Sequence, residues 1–212
     1  MKRAVFVSAI ALVMVSCGEK KVVYKDPSAS VEDRVEDLLG RMTVEEKILQ
    51  LTQYTLGLND NDKNVGGETD SLPPEVGSLI YMSDDCAMAV ALQKKAVEKT
   101  RLGIPVLFGY DVIHGYRTIF PIPLAQASSF DPSLASGIAK VAAFEGTAGG
   151  IRWTFSPMVD IARDARWGRI AEGYGEDPYL ASRFSEAAVK GYQGDDLSDP
   201  RTMAACLKHF VG

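Results

Sequence analysis

The sequence has 212 residues, 46% hydrophobic and 24% charged, with a net charge of −5 and a pI of about 5.1. Such a chain is long enough for one domain of ordinary size with a substantial core. The acidic balance excludes the basic footprint of a nucleic-acid-binding protein, and no internal repeat at solenoid or propeller spacing is present.

The first residues form a segment of their own. Lys2 and Arg3 precede an apolar run from Ala4 to Val15, then Ser16, Cys17 and polar Gly18-Glu-Lys-Lys21. This pattern is a secretory signal over residues 1–16, too short to span a bilayer as a stable helix. Small Ser16 before Cys17 resembles a bacterial lipobox, which predicts cleavage before Cys17 and lipidation of its sulfur. Acyl chains there would hold the protein to a membrane, each buried methylene adding roughly 0.8 kcal/mol. The alternative is an ordinary cleaved signal with a chance cysteine. Residues 17–30 read as a polar tether. The expected location is the periplasm or outer membrane, after export across the inner membrane. The two remaining cysteines, Cys86 and Cys206, are permitted a disulfide by an oxidising compartment but read as free, buried thiols.

From Val31 the pattern is helical, with Val35, Leu38, Leu39 and Met42 in step. Thr43-Val-Glu-Glu46 is a capping box that opens a second helix, whose buried face is expected at Ile48, Leu49 and Leu51. Residues 57–75 read as a loop and Val76–Met82 as a buried strand. Asp84–Arg101 reads as a helix with Met88, Ala91, Leu92 and Val97 on one side. Gly103–Tyr110 is an apolar strand ending on Asp111. Asp131-Pro132 and Asp177-Pro178 are helix entries, aspartate at the N-cap and proline at N1; their helices are expected to reach about Gly149 and Tyr192. Between them lie a strand over Ile151–Pro157 and a polar loop over 160–177. A last strand over Thr202–Leu207 ends on Lys208-His209.

Strands thus alternate with helices and read as apolar on both faces, the pattern of a parallel sheet covered by helices. The fold class is α/β. Polar residues cluster after strand ends, where both a β/α barrel and a doubly wound sheet place ligands; periodicity alone does not separate the two. No Gly-rich nucleotide loop and no zinc-type spacing occurs, so no metal or organic cofactor is expected.

Three clusters carry candidate chemistry. Asp111 ends a buried strand, where a carboxylate needs a partner or a ligand. It either accepts hydrogen bonds from two vicinal sugar hydroxyls or caps its own turn, while His114 reads as a tie between loops. In Arg163-Asp-Ala-Arg-Trp-Gly-Arg169 and Glu172-Gly-Tyr-Gly-Glu-Asp177, most charges read as an ion-pair network. Arg169 can instead reach sugar oxygens with its fork of donors, and Trp167 is either a stacking face or packing. Lys208 and His209 together offer two donors, with Phe210 expected to pack behind them.

Taken together, these pieces resemble glycoside hydrolase family 3, and within it the periplasmic β-glucosidase branch. The matching segments are Arg41-Met-Thr-Val-Glu-Glu-Lys47, Asp111-Val-Ile-His-Gly115, Phe120-Pro121 with Ala127-Ser-Ser-Phe130, Ser156-Pro-Met-Val-Asp160, the two arginine and glutamate segments just named, and Lys208-His-Phe210. The resemblance implies a retaining β-glycosidase that removes terminal non-reducing β-D-glucosyl residues from β-linked glucosides or oligosaccharides. It implies a TIM-type (β/α)8 barrel, of which residues 31–212 are the N-terminal, incomplete part. It also implies that Asp111, Arg169, Lys208 and His209 contact the sugar in the innermost subsite. Such an enzyme needs two carboxyl groups about 5–5.5 Å apart. The family's nucleophile lies in a Ser-Asp-Trp-like motif after the Lys-His segment and its acid/base residue lies later still. Neither is expected within the 212 residues, because the Ser-Asp-Asp at Ser83 precedes the sugar-binding residues. On this reading the isolated chain is inactive and prone to aggregate. β-Xylosidase and β-N-acetylglucosaminidase of the same family remain alternatives; so do a lipid-anchored sugar-binding protein and an inactive fragment.

Overall fold

The computed structural model describes residues 22–56, 72–83 and 85–210. The signal segment, Cys17 and most of the 57–75 loop lie outside the described residues. Among the described residues, no helix is long and apolar enough to cross a membrane. The chain divides into two compact units at Met42.

In the first unit, α1 spans Val31–Arg41, with Ser30 as N-cap accepting from the Asp33 N–H. Residues 22–30 do not run free as a tether would. The Val23 and Tyr24 N–H groups donate to the Asp37 carboxylate at 2.9 and 3.0 Å, and Arg41 donates to it one turn later. Arg34 Nε donates to the Tyr24 carbonyl.

The second unit begins with α2 (Val44–Gln50), whose capping box is present: the Glu46 N–H donates to Thr43 Oγ1 and the Thr43 N–H to Glu46 Oε2. Its expected buried face is not buried, since Ile48 is 58% and Leu51 90% exposed. The short helix is held instead by polar contacts. Gln50 Nε2 donates to the Glu75 carbonyl and the Gly77 N–H to the Leu49 carbonyl.

Among the described residues four parallel strands follow: β1 (Gln53–Leu56), β2 (Ser78–Tyr81), β3 (Leu107–Tyr110) and β4 (Trp153–Thr154). Between them run α3 (Cys86–Lys99), the short α4 (Pro123–Ala127) and α5 (Pro132–Ala148); α6 (Pro178–Gln193) comes last. The sheet order is β1-β2-β3-β4. A doubly wound sheet reverses direction at a switch point. This one adds each strand beside the last, as a barrel wall does, which decides what periodicity left open.

Three expected strands are shorter than the apolar runs that announced them, and of the 76–82 run only Ser78–Tyr81 is paired. Only Leu107–Tyr110 of the 103–110 run is paired, and only Trp153–Thr154 of the 151–157 run. The 202–207 strand is replaced by two isolated parallel bridges, Trp153 to Ala204 and Met158 to Lys208. Pro157 lies between them, and proline brings no N–H to a ladder. Single bonds carry the pairing across, from the Cys206 N–H to Ser156 and from the Lys208 N–H to the Pro157 carbonyl.

The core lies where the sheet meets α3, α5 and α6, with Leu79, Tyr81, Phe108, Ile151, Phe184 and Met203 buried. Tyr81 and Phe108 meet edge to face with centroids 5.2 Å apart. α3 buries Ala89, Leu92 and Ala96, whereas Ala91 and Val97 face solvent, so its inner face is rotated from the expected one. α5 and α6 pack through small residues: a Cβ on Gly191 would lie 2.4 Å from the Ser136 carbonyl oxygen and 2.7 Å from Ala139 Cβ. Cys86 and Cys206 are free, but Cys86 sits exposed at the first turn of α3 and Cys206 is half-buried.

Candidate active site

All four sequence-derived site residues lie at the carboxyl end of the parallel sheet. Asp111 follows the last residue of β3 directly. Its loop is fixed from both sides of the next residue: the Val112 N–H donates to Thr154 Oγ1 at 3.3 Å, and the Val112 carbonyl accepts from the Tyr192 hydroxyl at 2.6 Å. Tyr192 is buried and also meets Ser156 Oγ. Burial pushes its phenol up to about 12, against the hydrogen bond from Ser156.

His114 ties this loop, as its position suggested. Its Nδ1 lies 2.9 Å from the Phe120 carbonyl, and the Phe120 N–H donates back to the His114 carbonyl. Gly115 sits at the neck of the closure with φ 130°, where a Cβ would collide with the Thr118 carbonyl, so only glycine fits.

Lys208 and His209 end the segment bridged to β4. The Lys208 ammonium donates to Asp111 Oδ1 at 2.5 Å, across 97 residues of sequence. The Lys208 side chain is 13% exposed and that of Asp111 51%, so the ammonium is recessed and the carboxylate faces outward. Asp111 is therefore paired across the sheet rather than capping its own turn.

Arg169 comes from the loop after β4. Its Nε and Nη2 donate to the two oxygens of Glu172 at 2.7 Å each, a bidentate fork, and its Nη1 reaches His209 Nε2 at 3.2 Å. His209 is anchored on its other edge by Asp160, whose Oδ2 lies 3.0 Å from Nδ1 and 3.1 Å from the His209 backbone nitrogen. The hydrogen bond with Glu172 raises the Arg169 guanidinium, against burial, with further help from the charges of Glu172, Asp111 and Asp160. The hydrogen bond from Arg169 holds the Glu172 carboxyl below its ordinary value, again against burial, and the charge of Lys208 adds to this. The four residues and their two carboxylate supports thus form one electrostatic cluster.

Asp160 and Glu172 were legible only as members of a motif. Their signal was position, a carboxylate three residues after Pro157 and another three after Arg169. The expected broad ion-pair network resolves into separate local pairs, Arg166 with Asp164 and Arg169 with Glu172, while Asp177 caps α6. Phe210 does not pack behind Lys208 and His209. It is 78% exposed and faces an open cleft of about 1070 Å³ lined also by Trp167, Asp160 and His209. Among the described residues, no group of three or more His, Cys, Asp or Glu side chains is placed to hold a metal ion.

A carboxylate only accepts hydrogen bonds, and ammonium and guanidinium groups only donate them. Set side by side at a strand-end cleft, they match a polyol, whose hydroxyls do both. Comparison with known proteins agrees with this chemistry. The profile of the glycosyl hydrolase family 3 N terminal domain matches residues 43–212. A periplasmic beta-glucosidase of Salmonella typhimurium is 41% identical over 179 residues, covering 84% of this chain and 23% of that protein. A putative beta-xylosidase of Formosa agariphila is 32% identical over 207 residues, covering 89% of this chain and 27% of that protein. The crystal structure of a mutant beta-glucosidase from Listeria innocua in complex with laminaribiose superposes with a TM-score of 0.75 at 40% identity, covering 85% of this chain and 27% of that one. The chain spans about a quarter to a third of the length of the curated relatives it matches. Its parallel, consecutively ordered sheet and its matched sequence together place the chain in glycoside hydrolase family 3.

Proposed function

We propose that this chain forms the sugar-binding side of the innermost subsite of a retaining, exo-acting β-glucosidase. The observation that carries the reading is the pairing of Asp111 with Lys208 beside Arg169 and His209, at the carboxyl end of the sheet. In the absence of sugar the carboxylate and the ammonium satisfy each other. A vicinal diol inserts between them, donating to Asp111 and accepting from Lys208.

Asp111 takes the hydroxyls farthest from the bond being cut, Lys208 and His209 take the middle hydroxyls, and Arg169 lies beside them and helps orient the nucleophile. These contacts tighten as the ring flattens toward an oxocarbenium ion, so they lower the barrier as well as hold the substrate. The nucleophile and the acid/base carboxyl, about 5–5.5 Å apart in a retaining enzyme, belong to other parts of the full-length protein. Its substrates are β-linked glucosides or oligosaccharides. The protein works in the periplasm, held to a membrane through a lipid on Cys17.

The test is a panel of aryl β-glycosides offered to the full-length protein. The reading predicts kcat/KM for the β-glucoside at least about tenfold above the β-xyloside and the β-N-acetylglucosaminide, with the β-anomer of glucose released first. Preference for the xyloside, or release of the α-anomer, would sink it. For the anchor, Cys17→Ser should move the protein from the membrane fraction to the soluble fraction.

A further inference from the structure

The His209 ring sits between two partners of fixed character. On one edge, Nδ1 lies 3.0 Å from Asp160 Oδ2, and the same oxygen accepts the His209 backbone N–H at 3.1 Å. On the other edge, Nε2 lies 3.2 Å from Arg169 Nη1. A guanidinium nitrogen donates and never accepts. A proton on Nε2 would set N–H against N–H, so Nε2 meets Arg169 with its lone pair. A carboxylate accepts and never donates, so the proton lies on Nδ1. The two constraints come from opposite edges of the ring and select the same tautomer.

Both partners are themselves held. Burial works to raise the Asp160 carboxyl, but the ring and backbone hydrogen bonds from His209 outweigh it and hold the group below the ordinary carboxylate range. Arg169 is fixed by its bidentate fork on Glu172. The side chain of Asp160 is 21% exposed and that of His209 43%, so the support is withdrawn while the imidazole remains open to a ligand.

We propose that Asp160 is a positioning residue that locks His209 as its Nδ1-protonated tautomer, so that a sugar hydroxyl taking the place of Arg169 Nη1 at Nε2 meets that nitrogen as a hydrogen-bond acceptor. This overturns the expectation that Lys208 and His209 both donate. A hydroxyl shared between them accepts from the Lys208 ammonium and donates its own proton to His209, so its O–H direction is set by the protein. A substituent that accepts but carries no proton, such as fluorine, keeps the first contact and loses the second. The sugar half of the inference rests on the proposed function, whereas the tautomer lock stands on the geometry alone.

The experiment is imidazole nitrogen NMR on the full-length protein labelled with 15N, with His209 assigned by the signals lost in His209→Gln. The expected wild-type pattern is a protonated Nδ1 and a bare Nε2. In Asp160→Ala the Nδ1–H loses its acceptor and only the 3.2 Å contact with Arg169 remains, so the single-tautomer pattern should give way to signals averaged between the two tautomers. Its kcat/KM for an aryl β-glucoside should fall about 10- to 100-fold, the loss of one charge-assisted hydrogen bond, and Asp160→Asn, whose amide oxygen can accept from Nδ1 in the carboxylate's place, should recover part of it. A wild-type ring protonated at Nε2 overturns the lock, and so does an Asp160→Ala protein with unchanged pattern and kinetics. If Asp160→Ala does not fold, the wild-type spectrum still decides. A protein with the expected tautomer but no glycosidase activity supports the lock and removes the proposed function.

Discussion

Lys208 Nζ lies 2.5 Å from Asp111 Oδ1, although one ends the segment bridged to β4 and the other follows β3. The pair is asymmetric, the ammonium recessed and the carboxylate half open. Replacing Asp111 with Ala leaves a poorly solvated cation without its counter-charge. Buried pairs broken this way lose about 3–5 kcal/mol and exposed ones under about 1; the half-open geometry places this one near 1–2. Glucose affinity should fall about 10- to 100-fold, the loss of one hydrogen bond to a charged group. Calorimetric titration of Asp111→Ala against wild type checks both effects, and the double change with Lys208→Met should cost less than the two single changes summed.

The Tyr192 hydroxyl supports the same site from behind, through the carbonyl of Val112. Tyr192→Phe removes the donor and leaves that buried carbonyl unpaired, at a cost of about 1–3 kcal/mol. The expected result is a lower denaturation midpoint with an unchanged slope, together with a raised KM, since Val112 adjoins Asp111.

Close packing of α5 on α6 makes a paired test of two glycines. Gly191→Ala must place a methyl 2.4 Å from the Ser136 carbonyl oxygen, and overpacking of this kind costs about 1–3 kcal/mol. At Gly137, on the exposed side of α5, an added Cβ meets nothing within 4 Å, and alanine should stabilise the helix by up to about 1 kcal/mol. Thermal unfolding should move in opposite directions for the two variants.

Acid should loosen the cluster. The carboxyls of Asp160 and Glu172 are held below their ordinary values of 3.8 and 4.5. A carboxyl depressed on folding contributes stability that is fully present above its unfolded value and is lost as pH falls through its folded value. Stability should therefore be flat above about pH 5 and decline below it. Glu172→Gln should flatten that decline in a series of denaturant melts. An identical acid slope in the variant would show that the pairing with Arg169 does not contribute.

Most of the architecture was legible because its signals are local. The Asp-Pro helix entries at Asp131 and Asp177, and the capping box at Thr43, act within a few residues. The misses are those where neighbours decide. β1 is four residues at a sheet edge, with Gln53 and Tyr54 exposed, and no apolar run announces it. The 202–207 segment has the apolarity of a strand but meets Pro157, which breaks its ladder. Ile48 and Leu51 have helical spacing, yet nothing among the described residues covers them. For the candidate site, motif order singled out Asp111, Arg169, Lys208 and His209. The direction of the hydrogen bonds at His209 depends on Asp160 and Arg169, 49 and 40 residues away, and a residue list carries no such direction.

The central claim is that these four side chains hold one sugar ring. The most direct measurement is a crystal structure of the full-length protein with gluconolactone, whose flattened ring imitates the oxocarbenium ion. The account predicts ring hydroxyls within hydrogen-bonding distance of Asp111, Arg169, Lys208 and His209, with the ring inserted at the Asp111–Lys208 pair. A lactone bound elsewhere, with that pair closed as it is here, would contradict it.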